Sequence, residues 1–409
     1  MSQSHKFLIL GAGPSGLAFA CRLLQHGETD FLVLEAAEEV GGLCRSVDVD
    51  GAPLDIGGGH FLDVANPTVL DFLFSFLPRE AWDAYERDSR IRIDNRLIGS
   101  PIESHIWEME ASLQQACLQD IAEAGCNTGR PEPDRFVDWI YWKLGRRIAE
   151  IYMLPYNRKL FGPDLDRLGT YWLEKLPSVS YAETLKSCQE KRFHGRQPAH
   201  AHFLYPKADG YGAVWRRMGE ALGPRIRLNT PARSLACGTR CVNGDFYGDV
   251  VVNTAPWTSF ERIDGLSAAN RAAIDGLRFA SVDIDYVPER VDTTAHWIYE
   301  PDEHIAYHRI LVRHNFCPRA RGFWTETNAE RARPVVSGAF RHRNRHAYPL
   351  NTIGKPEAMR GLLETLAEQS VFGLGRWGEW QHHNSDVVVG RACELADRLV
   401  ADGRQGGGG

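Results

Sequence analysis

Three glycines, Gly11, Gly13 and Gly16, stand at G-x-G-x-x-G spacing directly after the apolar run Phe7–Leu10. Such a turn lets a strand hand over to a helix while its backbone lies against a pyrophosphate. The first glycine permits the turn, the second the close approach, and the third the packing of helix on strand. Leu17, Ala20, Cys21 and Leu24 then recur at helical spacing, and Phe31–Leu34 reads as a second buried strand ending in Glu35. An acid about twenty residues after the glycines is placed to accept from ribose hydroxyls. The pattern predicts a dinucleotide whose pyrophosphate rests on a helix N-terminus.

Beyond Glu35 the chain reads "AAEEVGGLCRSVDVDGAPLDIGGGHF". Gly41 and Gly42 complete E-x-x-x-x-x-G-G, Arg45 is placed to reach a phosphate, and "DIGGGH" (Asp55 to His60) forms a further glycine loop. This resembles the extended FAD fingerprint of amine-oxidase and protoporphyrinogen-oxidase type flavoproteins. The resemblance implies FAD rather than NAD. It assigns cofactor contacts to Gly11, Gly13, Ser15, Gly16, Glu35, Ala36, Gly42 and Leu43, and to Gly58 and Gly59 beside the isoalloxazine ring. A later turn near Ala232, in "PRIRLNTPARSLACGTRCVNGDFYGDVVVNTAPW", would clasp the adenine through its backbone.

The elements that must carry these residues follow from pattern. A chain of 409 residues suggests two or three domains, and 43% apolar and 24% charged residues are ordinary for a globular protein. The expected fold is α/β: a discontinuous Rossmann-like FAD domain with a helical insertion and an antiparallel β-sheet substrate domain. The boundaries read as 1–99, 200–275 and 361–402 for the cofactor domain, 100–199 for the helices and 276–360 for the sheet, with 403–409 a flexible tail. "RFVDWIYWKLGRRIAEIYM" shows the three-four spacing of an amphipathic helix, with Trp139, Tyr141 and Trp142 read as core. "SVDIDYV", "HWIYE", "IAYHRILVRHN", "GFWTETN" and "VVSGAFRH" read as strands.

Several function classes receive no support. A net charge of −6 without a basic arm gives no reason to expect nucleic acid, and "RHRNRH" (Arg341 to His346) reads as a solvated strand or loop. No stretch approaches the ~20 apolar residues of a membrane span. "MSQSHK" lacks the plan of a signal peptide, and nine scattered cysteines without C-x-x-C suit a reducing cytoplasm. His200 and His202 lack partner ligands, and His382–His383 point to opposite sides of an extended chain, so no metal is assigned.

Three further segments narrow the chemistry. "YMLPYNRKLFGPDLDRLGTYWLEKLP" (Tyr152 to Pro177), "YPKADGYGAVWRRMGEAL" (Tyr205 to Leu222) and "GRWGEWQHHNSD" (Gly375 to Asp386) together resemble UDP-galactopyranose mutase and its sugar-nucleotide mutase relatives. "YHRILVRHNFCP" and "HAYP" strengthen the likeness. The resemblance implies interconversion of pyranose and furanose forms of a nucleoside-diphosphate sugar, as in polysaccharide or glycoconjugate biosynthesis. In that reaction N5 of reduced FAD attacks the anomeric carbon and no net redox change occurs.

On the same resemblance Arg309 grips the diphosphate, Tyr348 hydrogen-bonds it, and the backbone of His60 adjusts to the flavin redox state. Phe161 stands where the mutases have an active-site tryptophan. Lys175 in "WLEKLP" replaces a second diphosphate arginine, and His382 replaces a phosphate-binding tyrosine. Arg376 adds a fixed charge near the cofactor, while Asn384, Ser385 or Asp386 caps the last helix, whose positive end faces the ring. Such a terminus stabilises an anion by about 0.3–1 kcal/mol, and up to about 2 when partly buried. The alternative is an FAD-dependent oxidase or desaturase on the same fingerprint. Whether the chain forms a homo-oligomer stays open.

Overall fold

The computed structural model describes residues 2–63, 65–173, 179–195, 200–332 and 339–406. At its centre the strand Gln3–Leu10 runs parallel to Phe31–Leu34 on one side and to Phe246–Asn253 on the other. Ile226–Arg227 extends the sheet beyond Phe31–Leu34, and Val371–Gly373 pairs in parallel with Phe246–Asn253. The strands are buried on both faces, and the alternation of side chains shows it. Phe7, Ile9, Phe31, Val33 and Val252 enter one apolar core, whereas Leu8, Leu10, Leu32, Leu34 and Val251 enter the other. A one-residue slip would send each set to the wrong core.

The first and last helices are among those that share the first core. Pro14–Gln25 begins at the glycine turn, with proline in its first turn, where a missing N–H costs nothing. The last helix, Ser385–Gly406, packs on it through Val389, Ala392 and Ala396, against Leu17 and Ala20. Arg22 and His26 both reach Asp397 at 2.6 Å across this contact. Chain end and chain beginning therefore meet over the glycine turn.

A second sheet holds, in order, Arg341–Pro349, Phe279–Val287, Phe323–Asn328, Arg309–Leu311, Trp297–Tyr299, Ser89–Ile93 and Arg96–Gly99. It is antiparallel except where Trp297–Tyr299 pairs in parallel with Ser89–Ile93. Its last two strands come from the stretch expected to lie in the cofactor domain. Helices Ala111–Glu123, Phe136–Ile148 and Leu154–Phe161 pack beside it. Gly145 breaks the second of these at φ +74°, where a Cβ would lie 2.6 Å from the Asp120 backbone. The "RHRNRH" segment is an edge strand: Arg341 and Arg343 fork onto Asp285 and Asp283 of the neighbouring strand. No helix among the described residues is long and apolar enough to cross a membrane.

Arg313 ties the turn that follows Arg309–Leu311 to the hairpin of Ser46–Val49 and Ala52–Asp55. It is fully buried, and its guanidinium donates to Val49 O (2.9 Å), Ala52 O (3.1 Å) and twice to Arg321 O (3.0 and 2.6 Å). The ring of Tyr286 covers it at 4.8 Å. Carbonyl dipoles, not a carboxylate, balance the charge. Arg313→Met would leave buried acceptors unmatched at about 1–3 kcal/mol each. A thermal melt should show a midpoint lower by several degrees, and an unchanged midpoint would remove Arg313 as the tie.

Candidate active site

The glycines of the cofactor fingerprint lie where no side chain would fit, some against backbone and some against a neighbouring side chain. A Cβ on Gly16 would lie 2.0 Å from Gly11 O, and one on Gly42 3.1 Å from Gly13 Cα. Gly11, at φ +102°, lies against Thr254, whose Oγ1 a Cβ would meet at 2.5 Å. Gly375 rests on the start of the first helix, where a Cβ would come within 1.9 Å of Ser15 Oγ. These contacts leave a groove walled by main chain, as a bound pyrophosphate needs. Glu35 is nearly buried and accepts from Ala12 N–H at 2.6 Å and Ala37 N–H at 2.8 Å. Its carboxylate thereby sits on the glycine turn. Asn229 and Thr230 donate to Ala37 O and Glu35 O, drawing the segment that carries Ala232 alongside. An open cleft of about 630 Å³, lined by Asn229, Pro231 and Arg233, continues outward from there. Ala36 is exposed on this side.

The other end of the groove is built by the second glycine loop. Leu43 O packs on Gly57, where a Cβ would lie at 1.8 Å, so this loop stacks on the one before it. His60 Nδ1 lies 3.1 Å from Gly58 O. A carbonyl only accepts, so Nδ1 carries the proton and Nε2 is bare. Burial, with help from the Arg376 charge, lowers the His60 pKa to about 4 and keeps the ring neutral. Its ring stacks on Tyr211, with centroids 6.1 Å apart, and the Tyr211 hydroxyl bonds Ser385 Oγ at 2.6 Å. The Ser385 side chain is thus engaged with Tyr211, while Asn384 O accepts the first bond of the last helix from Val388 N–H at 3.0 Å.

Arg376 is half-buried, and among the described residues its hydrogen bonds go to carbonyls: His383 O at 3.1 and 2.9 Å, and Ala347 O at 3.2 Å. Burial lowers its pKa from the usual arginine value. The turn after it needs its own anchor because Trp380 adopts φ +54°. Lys355 supplies one, donating to Trp380 O at 2.6 Å and to Asn351 Oδ1 at 2.5 Å. The Trp380 indole donates to Arg278 O at 3.0 Å. The two tryptophans of this segment are therefore structural, 5.0 Å apart in the second core. They fix where His382 emerges.

Of the expected substrate residues, Arg309, Tyr348 and His382 lie together. Arg309 Nε and Nη2 donate to Glu326 Oε2 at 3.0 and 2.6 Å, and Nη2 lies 3.5 Å from the Tyr348 hydroxyl. The Tyr348 ring meets the His382 ring edge-on at 5.2 Å. Phe161 ends its helix in an aromatic cluster with Phe136, which Tyr348 borders. Lys175 lies outside the described residues. Sequence reasoning missed Glu326, whose Oε1 accepts from Gly59 N–H at 3.0 Å. Burial alone would raise its carboxyl, but Arg309 and His308 outweigh that and hold it at about 2. Tyr156 and Tyr299, 5.4 Å apart, were missed as well, and His308 packs on Tyr156 at 5.8 Å. An acid in an alternating strand, or a tyrosine in a helical stripe, carries no local mark of a site. Among the described residues no group of three His, Cys, Asp or Glu could hold a metal.

Comparison with known proteins bears on the fold. The NAD(P)-binding Rossmann-like domain family matches residues 9–76. A UDP-galactopyranose mutase from Mycoplasma pneumoniae is 31% identical over 93 residues, which span 22% of this chain and 22% of that protein. The crystal structure of a reduced UDP-galactopyranose mutase superposes with a TM-score of 0.87 at 21% identity, covering 98% of this chain and 94% of that one. A putrescine oxidase with bound putrescine superposes with a TM-score of 0.64 at 16% identity, covering 98% and 100%. The class is that of α/β proteins with a Rossmann-like domain. Within it, the fold is that of UDP-galactopyranose mutase.

Two predictions follow from the geometry. Glu35→Ala should weaken FAD binding about tenfold or more, the worth of a charged hydrogen bond, read from FAD retained after gel filtration. Retention equal to wild type would remove Glu35 from the cofactor site. The second concerns acid. The Glu326 carboxyl is held at about 2, below its ordinary 4.5, so its stabilisation is present above pH 4.5 and is lost as pH falls towards 2. The stability gap between wild type and Glu326→Gln, from urea midpoints, should be widest above pH 5 and narrow below about 4.5. A pH-independent gap would contradict this pairing.

Proposed function

We propose that the protein is a flavin-dependent sugar-nucleotide mutase, interconverting pyranose and furanose forms of a nucleoside-diphosphate sugar. The observation that carries this reading is the meeting of Arg309, Tyr348 and His382 beside the loop of Gly57 to His60, with the Arg376 charge near His60. FAD in its reduced form, when bound, supplies an electron-rich N5 as nucleophile, so no side chain need play that part. The chain supports this division of labour. Cys44, the thiol that feels Arg376, is buried and pushed up to about 12, far from a thiolate.

The side chains are left with binding and orientation. Arg309 offers a planar fork suited to phosphate oxygens, and Tyr348 adds a hydroxyl donor. His382 would give one further hydrogen bond. Arg376, fixed by carbonyls, contributes positive potential without using a carboxylate that would cancel it. The start of the last helix adds to that potential and favours an anionic ring. His60, neutral, neither repels nor neutralises a nearby cation. Tyr156 and Tyr299 line the same region with ring faces suited to a base or sugar. The site works by charge and shape.

The test uses photoreduced holoprotein, a panel of nucleoside-diphosphate sugars and proton NMR. Conversion of at least one sugar to its ring-size isomer, without net use of reductant or oxygen, is expected. Arg309→Lys keeps a cation opposite Glu326 but loses the fork, and should weaken nucleotide binding about tenfold with FAD content unchanged. Oxygen consumption driven by an amine or a polyene, with no sugar converted, would replace the mutase by an oxidase.

A further inference from the structure

The stretch "YPKADGYGAVWRR" carries three cations, Lys207, Arg216 and Arg217, that neither the cofactor groove nor the Arg309 site uses. They line one cleft of about 330 Å³, between the helix Gly212–Leu222 and the segment that holds Leu77 and Ala81. None of its lining residues belongs to the glycine fingerprint or to the group of Arg309, Tyr348 and His382. The volume lies at the small end of the range for sites that take small molecules.

One wall of this cleft is held by contacts that only glycine allows. Gly210, at φ +67°, sits where a Cβ would lie 2.5 Å from Ser46 Oγ, and a Cβ on Gly212 would lie 2.6 Å from Ser46 N. Ser46 Oγ accepts from Gly212 N–H at 2.7 Å and donates to the buried Asp55 at 2.5 Å. The turn before the helix is thereby pressed onto the hairpin of Ser46–Val49 and Ala52–Asp55, with Asp209 in a left-handed conformation at φ +62°. Arg216 closes the same turn, donating to Asp209 O at 2.9 Å and to Ser46 O at 3.4 Å. Among the described residues its hydrogen bonds go to these carbonyls and to no carboxylate. A guanidinium has five N–H donors, so part of the fork is left for a ligand.

Three cations face two lining acids. Arg217 pairs with Glu220 at 3.1 Å, and the Asp209 side chain is exposed, where water and salt screen it. Lys207 stands 3.9 Å from Asp83, a long and exposed pair. Behind Arg216 lies Asp55, whose carboxyl burial pushes up to about 7. Near neutral pH that group carries only part of a charge and leaves Arg216 largely uncompensated.

We propose that this cleft binds a small organic monophosphate. The phosphoryl group takes the Arg216 fork and the Lys207 ammonium, and the organic part lies on Leu77, Ala81 and Ala213. A phosphoryl group carries nearly two charges at neutral pH, which suits paired cations better than a carboxylate does. The site is separate from the diphosphate site proposed above and stands whether or not that reading holds.

Phenyl phosphate is the probe, titrated calorimetrically into the FAD-loaded full chain, with chloride at equal ionic strength as the blank. Wild type should show one saturable site per chain, and Arg309→Lys should show the same site at unchanged affinity. Arg216→Gln should weaken it about tenfold or more, the worth of a charged hydrogen bond. Lys207→Gln, at the exposed rim, should weaken it by up to about fivefold. If Arg216→Gln fails to fold, Arg216→Lys, which keeps the charge and loses the fork, takes its place under the same criterion. Inorganic phosphate should bind more weakly than phenyl phosphate, because it leaves the apolar wall bare. Equal affinity for the two would overturn the organic ligand. Absence of saturable binding, or equal affinity in wild type and the Arg216 variant, overturns the site itself. Binding that disappears in Arg309→Lys would place the probe in the candidate active site and overturn it as well.

Discussion

The site depends on main chain lying against main chain at separations that only hydrogen can fill. Gly16 meets Gly11, Gly42 meets Gly13 and Gly57 meets Leu43, each closer than a Cβ would normally allow, and Gly375 meets the Ser15 side chain as closely. These contacts stack the turn after the first strand, the loop after the second and the "DIGGGH" loop into one wall, and bring the Gly375 turn onto it. A side chain at any of them would push the layers apart. Chemistry at one end of the wall is thereby registered to binding at the other.

Charge inside the molecule is handled in two ways. Arg313, Lys355 and Lys159 are buried and Arg376 is half-buried, and all are satisfied by backbone carbonyls or, for Lys355, also by an amide oxygen. Such groups have fixed partners and serve as ties between segments. Arg309 instead faces an ionised carboxylate, and part of its fork is shared with a tyrosine. Charge-assisted bonds of that kind are strong, yet an incoming anion can compete for them in kind. The contrast separates the cations that hold the structure from the one suited to exchange partners.

The "GRWGEWQHHNSD" segment shows how a conspicuous sequence divides into parts. Its tryptophans are core, Trp380 takes a left-handed backbone held by Lys355, and Arg376 is locked onto carbonyls. Gly375 lets the turn settle on the first helix. Only His382, against Tyr348, reaches the candidate substrate region. The density of unusual residues reflects a tight turn that must be built before one side chain can be presented.

The α/β class and the dinucleotide turn were legible in the chain because they depend on local spacing: glycines at a turn, an acid at a strand end, apolar residues in runs; FAD and the mutase-like fold came through resemblance. Local spacing also offered Arg309, Tyr348 and His382 one by one through resemblance, but not their meeting. Glu326, Tyr156, Tyr299 and His308 carry no local signal, since a buried acid in "FWTETN" reads like any alternating strand. Their proximity is set by the second sheet, which draws strands from residues 89–99 and 279–349 beside one another. Tertiary structure alone decided which oxygen faces Arg309 and which faces Gly59. Contacts between residues 267 positions apart arise from packing, and periodicity along the chain cannot encode them.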